Sequence, residues 1–185
     1  MSDEAQGDVV YQGKLITVRK QPVPQPNGST VLYDIVDHPD AVGIVAVRTD
    51  LGDGEPHVAL VRQPRPAINQ DTWEIPAGLV DPGEEDDTLK TAERELREET
   101  GFDGGTFVFL HKHYPSPGFM NEAISVYLAT ELRTAPGEPA PDANEIESLE
   151  WKPLVEAMAM CKRGEIEDGK TVIGLWLARD EIEGQ

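Results

Sequence analysis

Residues 78–102, Gly-Leu-Val-Asp-Pro-Gly-Glu-Glu-Asp-Asp-Thr-Leu-Lys-Thr-Ala-Glu-Arg-Glu-Leu-Arg-Glu-Glu-Thr-Gly-Phe, read as a glycine-punctuated loop feeding a short acidic helix. They constrain the chain more than any other stretch, because they put carboxylates where a helix packs apolar side chains. At about 100° per residue, Leu89, Ala92 and Leu96 define one buried stripe. Glu95 and Glu99, at i and i+4, sit beside that stripe, and Glu98 lies one step further round. Like charges at this spacing repel by a few tenths of a kcal/mol, and a carboxylate at the edge of a core loses hydration. A divalent cation offsets both costs. Mg²⁺ takes oxygen ligands, usually one or two carboxylates together with waters and substrate phosphates. The competing reading is a solvated helix in which Arg94 and Glu98 form an i, i+4 ion pair.

Composition narrows the class. At 185 residues the chain is long enough for one sizeable core and marginal for two. No run of about 18 apolar residues is present to span a membrane, and the acidic start Met1-Ser2-Asp3-Glu4-Ala5 lacks the apolar stretch of a secretory signal. The single Cys161 leaves no intramolecular disulfide and suits a reducing cytoplasm. With 35 acidic against 16 basic residues the net charge is −19, which argues against nucleic-acid or anionic-membrane partners. A phosphate-bearing ligand then requires cations gathered locally, from metal and a few arginines.

Along the chain, residues 1–8 read as a disordered tail. Val9–Val18 and Thr30–Val36 read as two strands flanking the turn-rich Pro22–Gly28. Ala41–Arg48 and His57–Gln63 are apolar strand runs, Pro64–Asp71 a loop, and Trp73-Glu74-Ile75-Pro76 the lead-in to the acidic segment. Strands are expected at Thr106–His111, Ala123–Leu132 and Glu147–Lys152, with a Pro-rich mobile loop over Thr134–Asn144. Helices are expected at Leu154–Arg163, started by Pro153 and stopped by Gly164, and at Lys170–Glu183. This alternation predicts an α/β fold: a tail and strand-rich extension over 1–39 and one catalytic domain over 40–185. His111 and His113 alternate on one strand, but Mg²⁺ has no preference for imidazole.

The segment resembles the Nudix box, G-x5-E-x7-R-E-U-x-E-E-x-G-U with U bulky and apolar. Arg94-Glu95-Leu96-Arg97-Glu98-Glu99-Thr100-Gly101-Phe102 matches its second half, and Gly78 to Glu84 its first. Nine residues separate Glu84 from Arg94 where the family has seven, a two-residue insertion that leaves Glu84, Glu85 and Asp86 all eligible as the first motif glutamate and Asp87 or Thr88 as the helix cap. The flanks, Leu60-Val61-Arg62-Gln63-Pro64-Arg65-Pro66, Trp73-Glu74-Ile75-Pro76-Ala77-Gly78, Ser116-Pro117-Gly118-Phe119 and Gly164-Glu165-Ile166, are similar to the ADP-ribose pyrophosphatase subfamily.

That resemblance implies a Nudix-type α/β/α sandwich with a small N-terminal β-sheet extension, and hydrolysis of a nucleoside diphosphate joined to another group. It implies Mg²⁺, with Mn²⁺ as the other candidate, held by Glu95, Glu98, Glu99 and the Ala77 carbonyl, with Arg94 orienting Glu98. It implies a general base on the loop before the penultimate helix, where Glu145 is favoured by its distance from Gly164 and Asp142 and Glu147 remain alternatives. Gly118 and Phe119 are expected at the substrate. Arg65 is placed either to clamp a pyrophosphate or as a surface arginine, and Trp73 either to stack an adenine or to pack in a core or interface. The resemblance further implies a homodimer that exchanges the N-terminal sheet. Two other activities stay open: hydrolysis of GDP-mannose or another nucleotide sugar or dinucleotide, and binding of ADP-ribose without hydrolysis.

Overall fold

A computed structural model of the chain describes residues 7–52, 54–136 and 148–184. Three strands, β1 (Asp8–Gln12), β2 (Thr17–Pro24) and β3 (Thr30–Asp37), form an antiparallel sheet of their own in that order. The sequence reading of one strand over Val9–Val18 and a turn over Pro22–Gly28 is corrected here. A turn closed by the Gly13 amide on the Ile16 carbonyl (2.8 Å) splits the first run, and β2 continues through two prolines. Those prolines are tolerated because β1 pairs with β2 only as far as Lys20. Beyond it, Pro22 and Pro24 pair with β3 on one side and, among the described residues, with no strand on the other, so their missing amides break no ladder.

The chain continues through β4 (Ala41–Arg48), β5 (His57–Arg65), β6 (Gln70–Glu74), β7 (Ala77–Leu79), α1 (Thr88–Thr100), β8 (Phe102–Asp103), β9 (Thr106–His113), β10 (Ile124–Thr130), β11 (Arg133–Thr134), β12 (Ser148–Pro153), α2 (Leu154–Arg163) and α3 (Gly169–Glu183). The main sheet runs β12-β5-β4-β10-β9, with β6 beside β5 and β7 beside β4; β8 and β11 make a separate pair. β4 and β10 are parallel, from Ala41↔Ile124 to Ala46↔Ala129. β4 meets β5 only at Val47↔Val58 and Arg48↔His57, so the two halves of the sheet diverge toward the start of β4 and the end of β5.

Strand alternation makes the sandwich. On β4, Val42, Ile44 and Ala46 share a cluster with Ala92 and Leu96 of α1, whereas Ala41, Val45 and Val47 share one with Leu154, Ala157, Leu175 and Ala178 of α2 and α3. The sheet is therefore covered on both faces, an α/β/α sandwich. Gly101 ends α1 at φ 74°, its amide on the Arg97 carbonyl, and Gly164 ends α2 at the same φ. Asp87 occupies the cap position of α1 but makes no side-chain capping bond; its carboxylate lies 3.0 Å from the Lys90 ammonium. Among the described residues, no helix is long and apolar enough to cross a membrane.

Candidate active site

Helix α1 is pressed to β4 by Ala92 and Leu96, and its rotation follows from that contact. Glu99 turns inward and is 7% exposed, while the side chains of Glu95 and Glu98 are 12% and 43% exposed. This gradient is the one expected from their angular distance to the Ala92–Leu96 stripe. Glu99 Oε2 accepts the Ala77 amide at 3.0 Å and Oε1 accepts Gln63 Nε2 at 3.3 Å, so the carboxylate ties α1 to β7 and to the end of β5. Arg94 Nη1 donates to Glu95 Oε1 at 2.6 Å and to Glu98 Oε2 at 3.0 Å. Its Nη2 lies 3.1 Å from Asp81 Oδ2 and donates to the Leu79 carbonyl at 3.3 Å. Arg94 reaches Glu98 from one turn back, and it gathers Glu95 and Asp81 as well.

The fit to a divalent cation rests on Gly78. A Cβ built there would lie 2.0 Å from the Glu95 carboxylate, so the glycine leaves the hollow that this carboxylate fills. Burial pushes the Glu95 carboxyl above its usual range, with Arg94 pulling the other way. A largely buried carboxylate beside Asp81 in the cleft suits a hard cation, which takes oxygen ligands. Among the described residues, no three His, Cys, Asp or Glu side chains are grouped as they would be around a metal. Arg94 instead holds the Glu95 and Glu98 oxygens that a cation would take, and the Ala77 amide is engaged by Glu99. The residues fit the ion; the cage is not assembled around Arg94.

The cleft itself, of about 610 Å³, opens at the divergent end of the sheet, between Gln63–Arg65 of β5 and Ala77–Leu79 of β7. Its acidic wall carries Glu95 and Asp81, and Arg65 and Lys170 also line it. Arg65 does not point free into this space. Its Nε and Nη2 bind Glu74 Oε1 and Oε2, both at 2.6 Å. Glu74 also accepts Thr72 Oγ1 and Lys170 Nζ. Burial raises the Glu74 carboxyl, but Arg65 and Lys170 outweigh it and bring the carboxyl down to about 2. At another edge of the cleft, His38 Nδ1 lies 3.5 Å from Glu122 Oε1, and burial pushes the Glu122 carboxyl up.

Other expected residues are placed as follows. Trp73 is half-buried against the core cluster and under the Lys152 ammonium, 5.6 Å from its ring, and is not among the residues lining the cleft. Phe119 is exposed and a Cβ added at Gly118 would meet nothing within 4 Å; neither lines the cleft, and the Phe119 carbonyl instead accepts the Val36 amide at 2.7 Å, joining that loop to β3. Glu145, Asp142 and Glu147 lie outside the described residues. Of the three eligible first glutamates, Glu84 accepts Thr91 Oγ1 at 2.9 Å, Glu85 accepts the Gly83 amide at 3.0 Å, and Asp86 is exposed. His111 and His113 stack with centroids 6.1 Å apart. Sequence reasoning missed Gln63, Glu74, Lys170, His38 and Glu122. Gln63 carried a signal, being a polar residue at the end of the apolar run of β5; Lys170 had none, because its partner Glu74 is 96 positions away.

The site is thus a carboxylate-bearing helix across one cleft from Arg65 and Lys170 in an α/β/α sandwich, and comparison specifies the class of protein. The NUDIX domain matches residues 37–174, and the chain belongs to that family. It is 36% identical over 169 residues to an ADP-ribose pyrophosphatase of Mycobacterium tuberculosis, covering 91% of this chain and 78% of the relative. It is 34% identical over 166 residues to an ADP-ribose pyrophosphatase of Bacillus subtilis, covering 90% and 86%. A crystal structure of an ADP compounds hydrolase superposes with a TM-score of 0.78 at 26% identity, covering 100% of this chain and 98% of the other.

Proposed function

We propose that this enzyme hydrolyses the pyrophosphate bond of ADP-ribose, or of a closely related nucleoside diphosphate sugar, to AMP and ribose 5-phosphate in the cytoplasm. The observation that carries the reading is the meeting, in one cleft, of Glu95 of α1 and Asp81 with Arg65 and Lys170. In a chain of net charge −19 a polyanion needs cations gathered at its site, and Arg65 is the more exposed of the two. Glu95, Glu98 and Glu99, with the Ala77 carbonyl, are assigned to hold Mg²⁺ or Mn²⁺. When bound, the cation supplies charge neutralisation on the pyrophosphate oxygens and a more acidic attacking water. Arg94 pairs with Glu95 and Glu98 and would give up those oxygens to the cation, and Glu99 locks α1 to β7 through the Ala77 amide. Arg65 meets the pyrophosphate with its paired donors, and Glu145 is assigned as general base.

The enzyme acts as a homodimer through its N-terminal sheet. Support comes from Val9, Val10, Tyr11, Leu32 and Tyr33, all exposed on that sheet, apolar side chains that a second copy would cover. Leu15, in the β1–β2 turn, also lines the cleft, so the sheet and the site adjoin. Sedimentation equilibrium reads the oligomer directly: a monomer at micromolar concentration removes the dimer. Turnover of ADP-ribose beside GDP-mannose and NADH at equal concentration, with and without Mg²⁺, tests the activity. Preference for GDP-mannose keeps the chemistry and rejects the substrate.

A further inference from the structure

Glu74 is a buried carboxylate whose acceptor sites are all taken by donors. Its side chain is 2% exposed, and each of its oxygens has two partners, one from Arg65 and one from a buried residue. Oε1 takes Arg65 Nε and Thr72 Oγ1; Oε2 takes Arg65 Nη2 and Lys170 Nζ. The two cations differ sharply. The Lys170 side chain is 9% exposed and that of Arg65 is 44% exposed. Lys170 is also fixed from behind, its Nζ 3.1 Å from Asp168 Oδ2. Asp168 is itself immobilised as the cap of α3, accepting Thr171 N at 2.9 Å and Thr171 Oγ1 at 2.6 Å. Arg65 has no such second anchor among the hydrogen bonds described, and it sits at the last position of β5, facing the cleft.

We propose that Lys170 is a standing counter-ion for Glu74 whose role is to release Arg65 to the substrate. A buried carboxylate that loses its only cation is left uncompensated at high cost, which would lock Arg65 in place. Because Lys170 and Thr72 keep one donor on each Glu74 oxygen, the guanidinium exchanges carboxylate oxygens for phosphate oxygens without leaving either one bare. Lys170 is thus a positioning residue that sets affinity through Arg65. The inference rests on the reading that Arg65 meets the pyrophosphate.

The test compares wild type, Lys170→Met, Lys170→Arg and Lys170→Met/Glu74→Gln in two readouts: calorimetric Kd for ADP in EDTA, and KM and kcat for ADP-ribose with Mg²⁺. Lys170→Met is expected to weaken ADP binding and raise KM tenfold or more while kcat changes less than threefold. Lys170→Arg keeps the charge and stays within threefold of wild type. The double variant returns to within threefold, because a neutral amide at position 74 no longer retains Arg65. Arg65→Ala added to Lys170→Met is expected to cost little more, since the two act through one group. Unchanged ADP affinity in Lys170→Met, or a double variant as weak as the single, overturns the proposal. Should Lys170→Met fail to fold, Glu74→Gln with Lys170 intact decides: unchanged or tighter ADP binding supports release, and a tenfold loss overturns it. Wild type that binds ADP yet does not hydrolyse ADP-ribose rejects the proposed function instead, and the ADP affinities still decide the role of Lys170.

Discussion

Gly78→Ala separates catalysis from stability at one atom. Gly78 is not at a positive φ, so alanine meets no backbone strain; the glycine is there for space. An added Cβ would sit 2.0 Å from Glu95 Cδ and Oε1, against 3.4 Å for ordinary contact, so the carboxylate must retreat by about 1.4 Å. The obstacle is the end of a flexible side chain, which moves cheaply. Replacing glycine by alanine also narrows the unfolded ensemble, worth about 0.4–1 kcal/mol of stability. The fold should therefore hold within about 1 kcal/mol of wild type. Turnover should not, because displacing a catalytic group by about 1 Å costs about a hundredfold. Thermal unfolding and Mg²⁺-dependent kcat on the same preparation give both numbers. A folded Gly78→Ala enzyme with wild-type kcat refutes the assignment of Glu95 to the metal site. A Tm drop of more than about 10 °C refutes the claim that the hollow serves the carboxylate rather than the packing.

Three other outcomes follow from the same geometry. Burial raises the Glu95 carboxyl, so its ionised form opposes folding as pH rises past the ordinary carboxyl range. Glu95→Gln should melt higher than wild type at pH 7 in EDTA yet gain nothing from Mg²⁺, whereas a lower melting point contradicts the desolvation argument. Glu74 behaves oppositely: its carboxyl is held at about 2 against an ordinary 4.5, so its contribution is complete above 4.5 and lost as pH falls toward 2. The amount is on the order of 3 kcal/mol, and Glu74→Gln should flatten the acid limb of the stability curve between those limits. Glu145→Gln should lower kcat by orders of magnitude with the melting temperature unchanged, and near-normal turnover rejects it as the base.

What could be read from the chain beforehand was what a short-range period encodes. That Glu95 and Glu99 lie beside the buried stripe and Glu98 further round followed from their angles to Ala92 and Leu96, and the run Ala41–Arg48 appeared as a strand because both its faces are covered. The motif spacing was equally local, and it carried the family. The N-terminal strands were misdivided because Pro22 and Pro24 signal a turn unless the length of the neighbouring strand is known. Arg65 was read either as a clamp facing substrate or as a surface arginine, but its resting partner Glu74 and the competing Lys170 come together only through β5, β6 and α3. Trp73 was equally open to stacking or packing, and its place on β6 puts it against the core.

The central claim is that one cleft uses the α1 carboxylates and a divalent cation to cut the pyrophosphate of ADP-ribose. The most direct measurement is the initial rate of AMP release from ADP-ribose by wild type and Glu99→Gln, each with Mg²⁺ and with EDTA. The account predicts release by wild type with Mg²⁺ alone, and loss by orders of magnitude in folded Glu99→Gln. Equal rates in EDTA, or a Glu99→Gln enzyme as fast as wild type, would contradict it.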